Sequence, residues 1–174
     1  MFVSRTYIGE CALGFGIFAR ERIAQAETIL HFTGREISLD EALAKGELSF
    51  NVLQIAPNRY LDLDQPGVSL NHSCEPNAGV VDDTVLIALR DIGKGEEIAF
   101  DYSTTMSEKL ETMQCRCGAP GCRRIVGDFH DLPARLKDRY LAAHLVQRFI
   151  VREHAEMRQR VRYSRAAAHG AEAA

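Results

Sequence analysis

The sequence contains no run of about eighteen apolar residues, so no stretch of it reads as a membrane-spanning helix. Its first residues, Met1-Phe2-Val3-Ser4-Arg5, lack a long apolar core, and no secretory signal is visible. The chain is therefore expected inside the cell, where thiols stay reduced. An even cysteine count is also missing: the five fall at 11, 74, 115, 117 and 122, three of them within eight residues. In a reducing compartment that clustering argues for a metal ion and against a disulfide framework. No internal repeat is present, and no excess of either charge stands out in the net value of −3.

What is there supports one folded domain. The 174 residues are 46% hydrophobic and 26% charged, enough apolar content to bury a core. The charge is unevenly spread. Residues 1–131 hold 12 Lys+Arg and 20 Asp+Glu, whereas residues 132–165 hold 9 and 3. An acidic body suits a basic partner, and a basic terminal helix suits something acidic; both also read simply as solvated faces.

Turn residues divide the first 130 residues into short strand-like runs. Gly14–Ala19 reads as a glycine turn entering a strand, and Glu27–Phe32 as a strand closed by Gly34. Ser38-Leu39-Asp40-Glu41 carries a capping-box pattern and opens a helix to about Lys45. Phe50–Ile55 and Arg59–Leu63 flank a Pro57-Asn58 turn, and Asp82-Asp83 joins two further runs as a two-residue hairpin. Glu97–Tyr102 reads as a strand, and residues 103–114 as helical or irregular. From Leu132, apolar residues recur mostly at four-residue steps as far as Val161, which predicts an amphipathic helix over 132–165 with Pro133 near its start. Residues 166–174 read as a frayed, disordered tail. The expected class is mainly β (α+β) with a C-terminal helical extension.

Three segments carry candidate chemistry. Asn71-His72-Ser73-Cys74-Glu75-Pro76-Asn77 crowds polar groups between strands; its plain reading is a polar loop with an Asx-type turn at Asn77. Cys115-Arg116-Cys117-Gly118-Ala119-Pro120-Gly121-Cys122 places three thiols on one tight loop. A structural zinc ion takes four ligands, so a fourth must come from elsewhere: Cys74 is the best candidate, then Cys11, then a histidine such as His130. Arg116, Arg123 and Arg124 stand ready to offset the thiolate charge. The other histidines show no metal spacing, and His144 and His154 are expected at the surface. The third segment, Gly93 to Tyr102, alone reads as a turn and a strand.

In order along the chain, these segments resemble the SET-domain protein lysine methyltransferases. Gly14-Phe15-Gly16-Ile17-Phe18-Ala19 is similar to that family's G-x-G-x-F-A turn. Residues 71–77 match its N-H-S-C-x-P-N segment at every position. Gly95–Tyr102 is similar to its G-E-E-L-x-F-D-Y strand, and Cys115, Cys117 and Cys122 match its post-SET C-x-C-x4-C. The resemblance implies a SET domain over 1–114, a post-SET zinc-binding segment over 115–131, and the basic amphipathic helix beyond. It implies a fold of several small β-sheets with a threaded pseudoknot. S-adenosylmethionine would be the methyl donor, and one structural Zn²⁺ would be held by Cys74, Cys115, Cys117 and Cys122.

The resemblance also assigns roles. Gly14, Phe15, Gly16, Leu70, Asn71, His72 and Tyr102 would meet the donor, with Tyr102 and Phe100 at the transfer centre. Methyl transfer is an in-line displacement and needs a neutral amine. A free lysine, with pKa about 10.4, is mostly protonated at neutral pH; a narrow apolar channel lowers that value by desolvation. Proximity and alignment then supply most of the acceleration. Phe100 leans towards multiple methylation, because a tyrosine hydroxyl there would hold a water where an added methyl must fit. The chain departs from the family at Val68-Ser69-Leu70, where many members have Arg-Phe-Ile. No cysteine-rich pre-SET segment is seen before the domain and no reader domain beside it, so substrate choice is expected to rest with this domain and its helix. The expected partner is a basic protein with a target lysine, histone-like or other. No membrane is expected, nucleic acid only indirectly, and a homodimer through the C-terminal helix is possible on this reading. Two other classes stay open: a SET-like peptide-binding module without turnover, and a zinc-knuckle nucleic-acid binder.

Overall fold

The computed structural model describes residues 5–109 and 112–171, with side chains as far as Tyr163. Strands β1 (Thr6–Cys11) and β2 (Gly14–Ala19) form an antiparallel hairpin from Thr6↔Ala19 to Cys11↔Gly14. Gly14 closes it at φ 103°, a backbone state that L side chains rarely adopt. Next come β3 (Thr28–His31) and β4 (Gly34–Ile37). Helix α1 (Leu39–Leu43) opens on a capping box, in which Ser38 Oγ accepts from Glu41 N at 3.2 Å and Ser38 N donates to Glu41 Oε2 at 2.9 Å, and it packs Ala42 against Ile37 and Tyr60. Strands β5 (Val52–Ala56) and β6 (Arg59–Leu63) follow, joined through Asn58 at φ 55°. Phe50, read as the start of a strand, closes a 3-10 turn over Gly46–Phe50.

The remaining strands are β7 (Asn71–His72), β8 (Ala78–Val81), β9 (Val85–Ala88), β10 (Glu97–Phe100), β11 (Met113–Gln114) and β12 (Ile125–Val126). They assemble as four small sheets, in the orders β1-β2-β10-β7, β3-β9-β8, β4-β6-β5 and β11-β12. The mainly β architecture expected from the sequence is what the chain adopts. The β8–β9 register, Val81↔Val85, leaves three residues in the turn where two were expected; Asp82 and Asp83 both take positive φ, at 49° and 66°.

One pairing positions everything that follows. β7 lies parallel to β10, Asn71 opposite Ala99 and His72 opposite Phe100, and Ser73 N donates to Phe100 O at 3.0 Å. Beneath this sheet Ile17, Leu70, Leu86, Ile92, Ile98 and Phe100 belong to one buried cluster. Asn77 does not form the local Asx turn expected of it. Its side chain reaches β10, donating to Glu97 O at 2.7 Å and accepting from Ala99 N at 3.0 Å.

The single helix expected over 132–165 is two. A 3-10 turn (Phe129–Asp131) precedes α2 (Ala134–Ala142), with Pro133 as its N-cap, and α3 runs Arg148–Ala171. His144 at φ 56° ends α2 in a left-handed cap. The break lets Leu145, Val146 and Gln147 turn inward and be buried. Gln147 Nε2 donates to Gln54 O at 2.8 Å and to Asp83 O at 3.0 Å, while Asp83 Oδ1 accepts from Arg148 N at 2.8 Å. An acidic acceptor at a helix N-terminus satisfies an orphan N–H and complements the helix dipole. Phe129, Tyr140, Phe149 and Ile150 form a second core with these residues. The backbone of α3 continues to Ala171 through most of the stretch read as a frayed tail; 172–174 lie outside the described residues.

Candidate active site and cysteine cluster

Chain segments far apart in sequence meet around β7. Tyr102 begins a 3-10 turn at the end of β10, and its hydroxyl donates to Leu70 O at 2.5 Å. Its backbone N donates to His72 Nδ1 at 3.2 Å. The ring of Tyr102 lies 5.3 Å from that of His72 and 4.9 Å from that of Phe100, centroid to centroid. Phe100 in turn packs edge-on to Phe32 and is 5% exposed. Burial pushes the Tyr102 phenol well above its ordinary pKa, so it stays a neutral O–H donor.

The N-terminal hairpin closes the other side. Asn71 Nδ2 donates to Phe15 O at 3.0 Å and to Glu97 Oε1 at 2.8 Å. Gly16 leaves room for this contact: a Cβ on it would fall 2.5 Å from Glu97 Oε1 and 3.0 Å from Asn71 Nδ2, and both side chains would have to shift. Phe15, Gly16, Leu70, Asn71, His72, Phe100 and Tyr102, all singled out in the sequence, thus lie around β7 and β10, while Gly14 pairs with Cys11 at the hairpin turn.

A cavity of about 120 Å³ opens beside Tyr102 and Phe100. Leu70, Val68, Leu63, Leu53 and Tyr60 line it, with Leu39 and Leu43 of α1 and Met106 and Met113 of the segment after Tyr102. The cavity is lined mostly by apolar side chains. The α1 region, which matched nothing specific in the sequence, is one of its walls.

Cysteines of the 115–122 loop come together with His72 and Cys74. Ligand atoms of His72, Cys74, Cys115 and Cys117 lie within 4.8 Å of one another. Three sulfurs and an imidazole nitrogen suit a tetrahedral zinc-type ion, so the residues present fit such a group. Cys122, expected as a ligand, packs at the edge of this cluster; its Sγ accepts from Arg124 N at 3.4 Å. His72, read only as a donor contact, occupies the tighter group instead. Its Nδ1 accepts from Tyr102 N, which leaves Nε2 facing Cys74 Sγ at 3.3 Å. Burial holds His72 down to about 4, so the ring is neutral at physiological pH. Cys11, the second choice as a ligand, instead accepts from Asn71 Nδ2 at 3.3 Å. His130 stacks on His154 with ring centroids 5.9 Å apart, and His154 is half-buried where the sequence suggested a surface residue.

Sequence reasoning missed the residue that ties these parts together. Asp101, 2% exposed, accepts a bidentate pair from Arg123 at 2.7 and 2.8 Å and a third bond from Tyr140 Oη at 2.8 Å. Arg123 was read as an offset for thiolate charge. Its charge and its backbone N, which reaches Cys74 Sγ at 3.4 Å, do favour the Cys74 thiolate, and its guanidinium also bonds the Asp101 carboxylate. The available signal was the Asp101 carboxylate inside a buried strand end, where an unpaired charge is too costly to stand alone.

Comparison with known proteins defines the class. Residues 14–103 match the SET domain family, and the chain belongs to it. Among its relatives, it is 34% identical over 131 residues to the histone-lysine N-methyltransferase ASHH3 of Arabidopsis thaliana, covering 66% of this chain and 36% of that protein. It is 31% identical over 136 residues to the H3 lysine-4 specific histone-lysine N-methyltransferase of Kluyveromyces lactis, covering 68% of this chain and 14% of that protein. The chain therefore spans about a third or less of the length of these relatives. In fold it is similar to a chain of the humanized mutant of the Chaetomium thermophilum Polycomb Repressive Complex 2 bound to an inhibitor. That match has a TM-score of 0.52 at 22% identity and covers 62% of this chain and 16% of the other. No described helix is long and apolar enough to cross a membrane.

Proposed function

We propose that the chain is an S-adenosylmethionine-dependent protein-lysine methyltransferase. One observation carries the reading: a neutral tyrosine hydroxyl, a buried phenylalanine and the Leu70 carbonyl meet at the end of an apolar cavity, beside Asn71 and His72. The donor, when bound, supplies a methyl group on a sulfonium. The rest is done by residues of the chain. The backbone at 14–16 and the Asn71 amide hold the donor's polar end. The apolar walls desolvate an entering lysine, which favours its neutral, nucleophilic form. Tyr102 and the Leu70 carbonyl fix the line of approach, and Phe100 excludes water, a shape that accepts an amine already carrying a methyl. Alignment of this kind is worth several powers of ten in rate.

In the same reading, zinc is held by Cys74, Cys115 and Cys117, with Cys122 or His72 completing the set, and its binding orders the segment after Tyr102. The protein substrate is basic, in keeping with the acidic body and with relatives named for histone lysines. Self-association through α3 is proposed from its exposed Val161 and Tyr163. The test is transfer of labelled methyl from S-adenosylmethionine to mixed core histones, followed by mass spectrometry of the product. Methylated lysine is expected; tight peptide binding without transfer would instead favour a non-catalytic module.

A further inference from the structure

Among the described residues lining the cavity beside Tyr102 and Phe100, Glu108 is the one carboxylate. It sits in the irregular stretch before β11, where sequence periodicity says nothing. The stretch is fixed on both sides of Glu108: Ser107 N donates to Gln54 Oε1 at 2.9 Å, and Lys109 N donates to Asp128 Oδ2 at 2.6 Å. The Glu108 carboxyl is engaged by the hydroxyl of Tyr60, itself 3% exposed. No ion pair joins Glu108 to another described residue. Burial raises the pKa of this acid, and the charge of Asp128 raises it further. An acid in apolar surroundings without a cation is held at a cost, and that cost falls when a cation enters.

We propose that Glu108, held by Tyr60, recognises the positive charge of an alkylammonium side chain entering this pocket. The proposal deepens the protein-lysine reading above and rests on it. Glu108 lies on the wall and acts before transfer, drawing the ammonium in; desolvation and the donor then favour the neutral amine. It is a positioning residue, so its loss belongs in substrate affinity and leaves the chemical step largely intact.

Two measurements separate this role from a structural one. The first is an NMR titration with n-butylammonium chloride against n-pentanol, a neutral molecule of similar size, at constant ionic strength. The wild-type chain should prefer the cation. Glu108→Gln should lose that preference by about tenfold, Tyr60→Phe should weaken it, and Glu108→Asp should keep most of it. An unchanged preference in Glu108→Gln overturns the proposal; if that variant fails to fold by circular dichroism, an unchanged preference in Tyr60→Phe does so. The second is the labelled-methyl assay on core histones, in which Glu108→Gln should raise KM about tenfold with kcat within about twofold. An unchanged KM also overturns the role. If the wild-type chain transfers no methyl at all, the methyltransferase reading fails, while the titration still decides whether Glu108 recognises cations.

Discussion

Tyr102 donates its hydroxyl to the Leu70 carbonyl and so fixes both groups at once. Tyr102→Phe removes a donor that belongs to the transfer geometry, and turnover in the labelled-methyl assay should fall about a hundredfold or more. The fold should persist by circular dichroism, since one such hydrogen bond contributes only about 1 kcal/mol to stability. Asp101 shows the reverse balance. Asp101→Ala leaves Arg123 without its bidentate partner in a site where the arginine side chain is 16% exposed, and urea unfolding should show a loss of about 3–5 kcal/mol. Glu96 adds a pH dependence. Burial pushes its pKa up, but Arg90, the Gly93 N–H and Asn77 more than offset this and hold it at about 2, below the usual carboxylate range. A carboxylate with a depressed folded pKa stabilises the fold above its unfolded pKa, and this contribution disappears as pH falls from about 4.5 to about 2. Glu96→Gln should flatten that part of a stability-against-pH curve; an unchanged curve would remove Glu96 from the account. At this scale the sequence singled out Asn71, Phe100 and Tyr102, and the structure brings them together around one strand pair. It did not single out Glu108 or Asp101, because their contacts depend on which distant side chains face them.

Among the elements, the glycine-led β2, the strand ending in Phe100 and the capping box of α1 were visible, because each rests on local chemistry: a turn residue, an alternation of apolar side chains, a reciprocal cap. The break between α2 and α3 was not. Residues 142–147 hold no glycine or proline, and what interrupts the helix is tertiary demand. Leu145 and Val146 find a core, and Gln147 finds two carbonyls from separate strands. The cysteine loop was legible from spacing alone, but the place of His72 in it follows from the parallel β7–β10 pairing. The loop is tied to the N-H-S-C segment by Gly121 N donating to Glu75 Oε1 at 2.8 Å and by the Arg123 amide on Cys74. Cys117→Ser should therefore lose the bound zinc by atomic absorption and raise hydrogen exchange from residue 103 to 126. A full equivalent of metal in that variant would contradict the assignment.

Over the whole molecule, the two cores divide the work. The first carries the sheets; the second fastens α2 and the start of α3 to them through Phe149 and Ile150. Phe149→Ala should cost about 3–5 kcal/mol, read by denaturant unfolding. Removing residues from 156 onward should cost less than about 1 kcal/mol, because that half of α3 is almost entirely exposed as far as Tyr163. Such a truncation also tests self-association, since light scattering should then report only monomer. The pairing of β7 with β10 has a last consequence, for biosynthesis. Residue 72 waits for residue 100, and the carboxylate that follows waits for Arg123 and Tyr140. A ribosome-bound fragment ending before residue 123 has every residue named at the transfer centre and still lacks the clamp that sets them. The clamp should therefore set abruptly, only after Arg123 and Tyr140 have both left the exit tunnel.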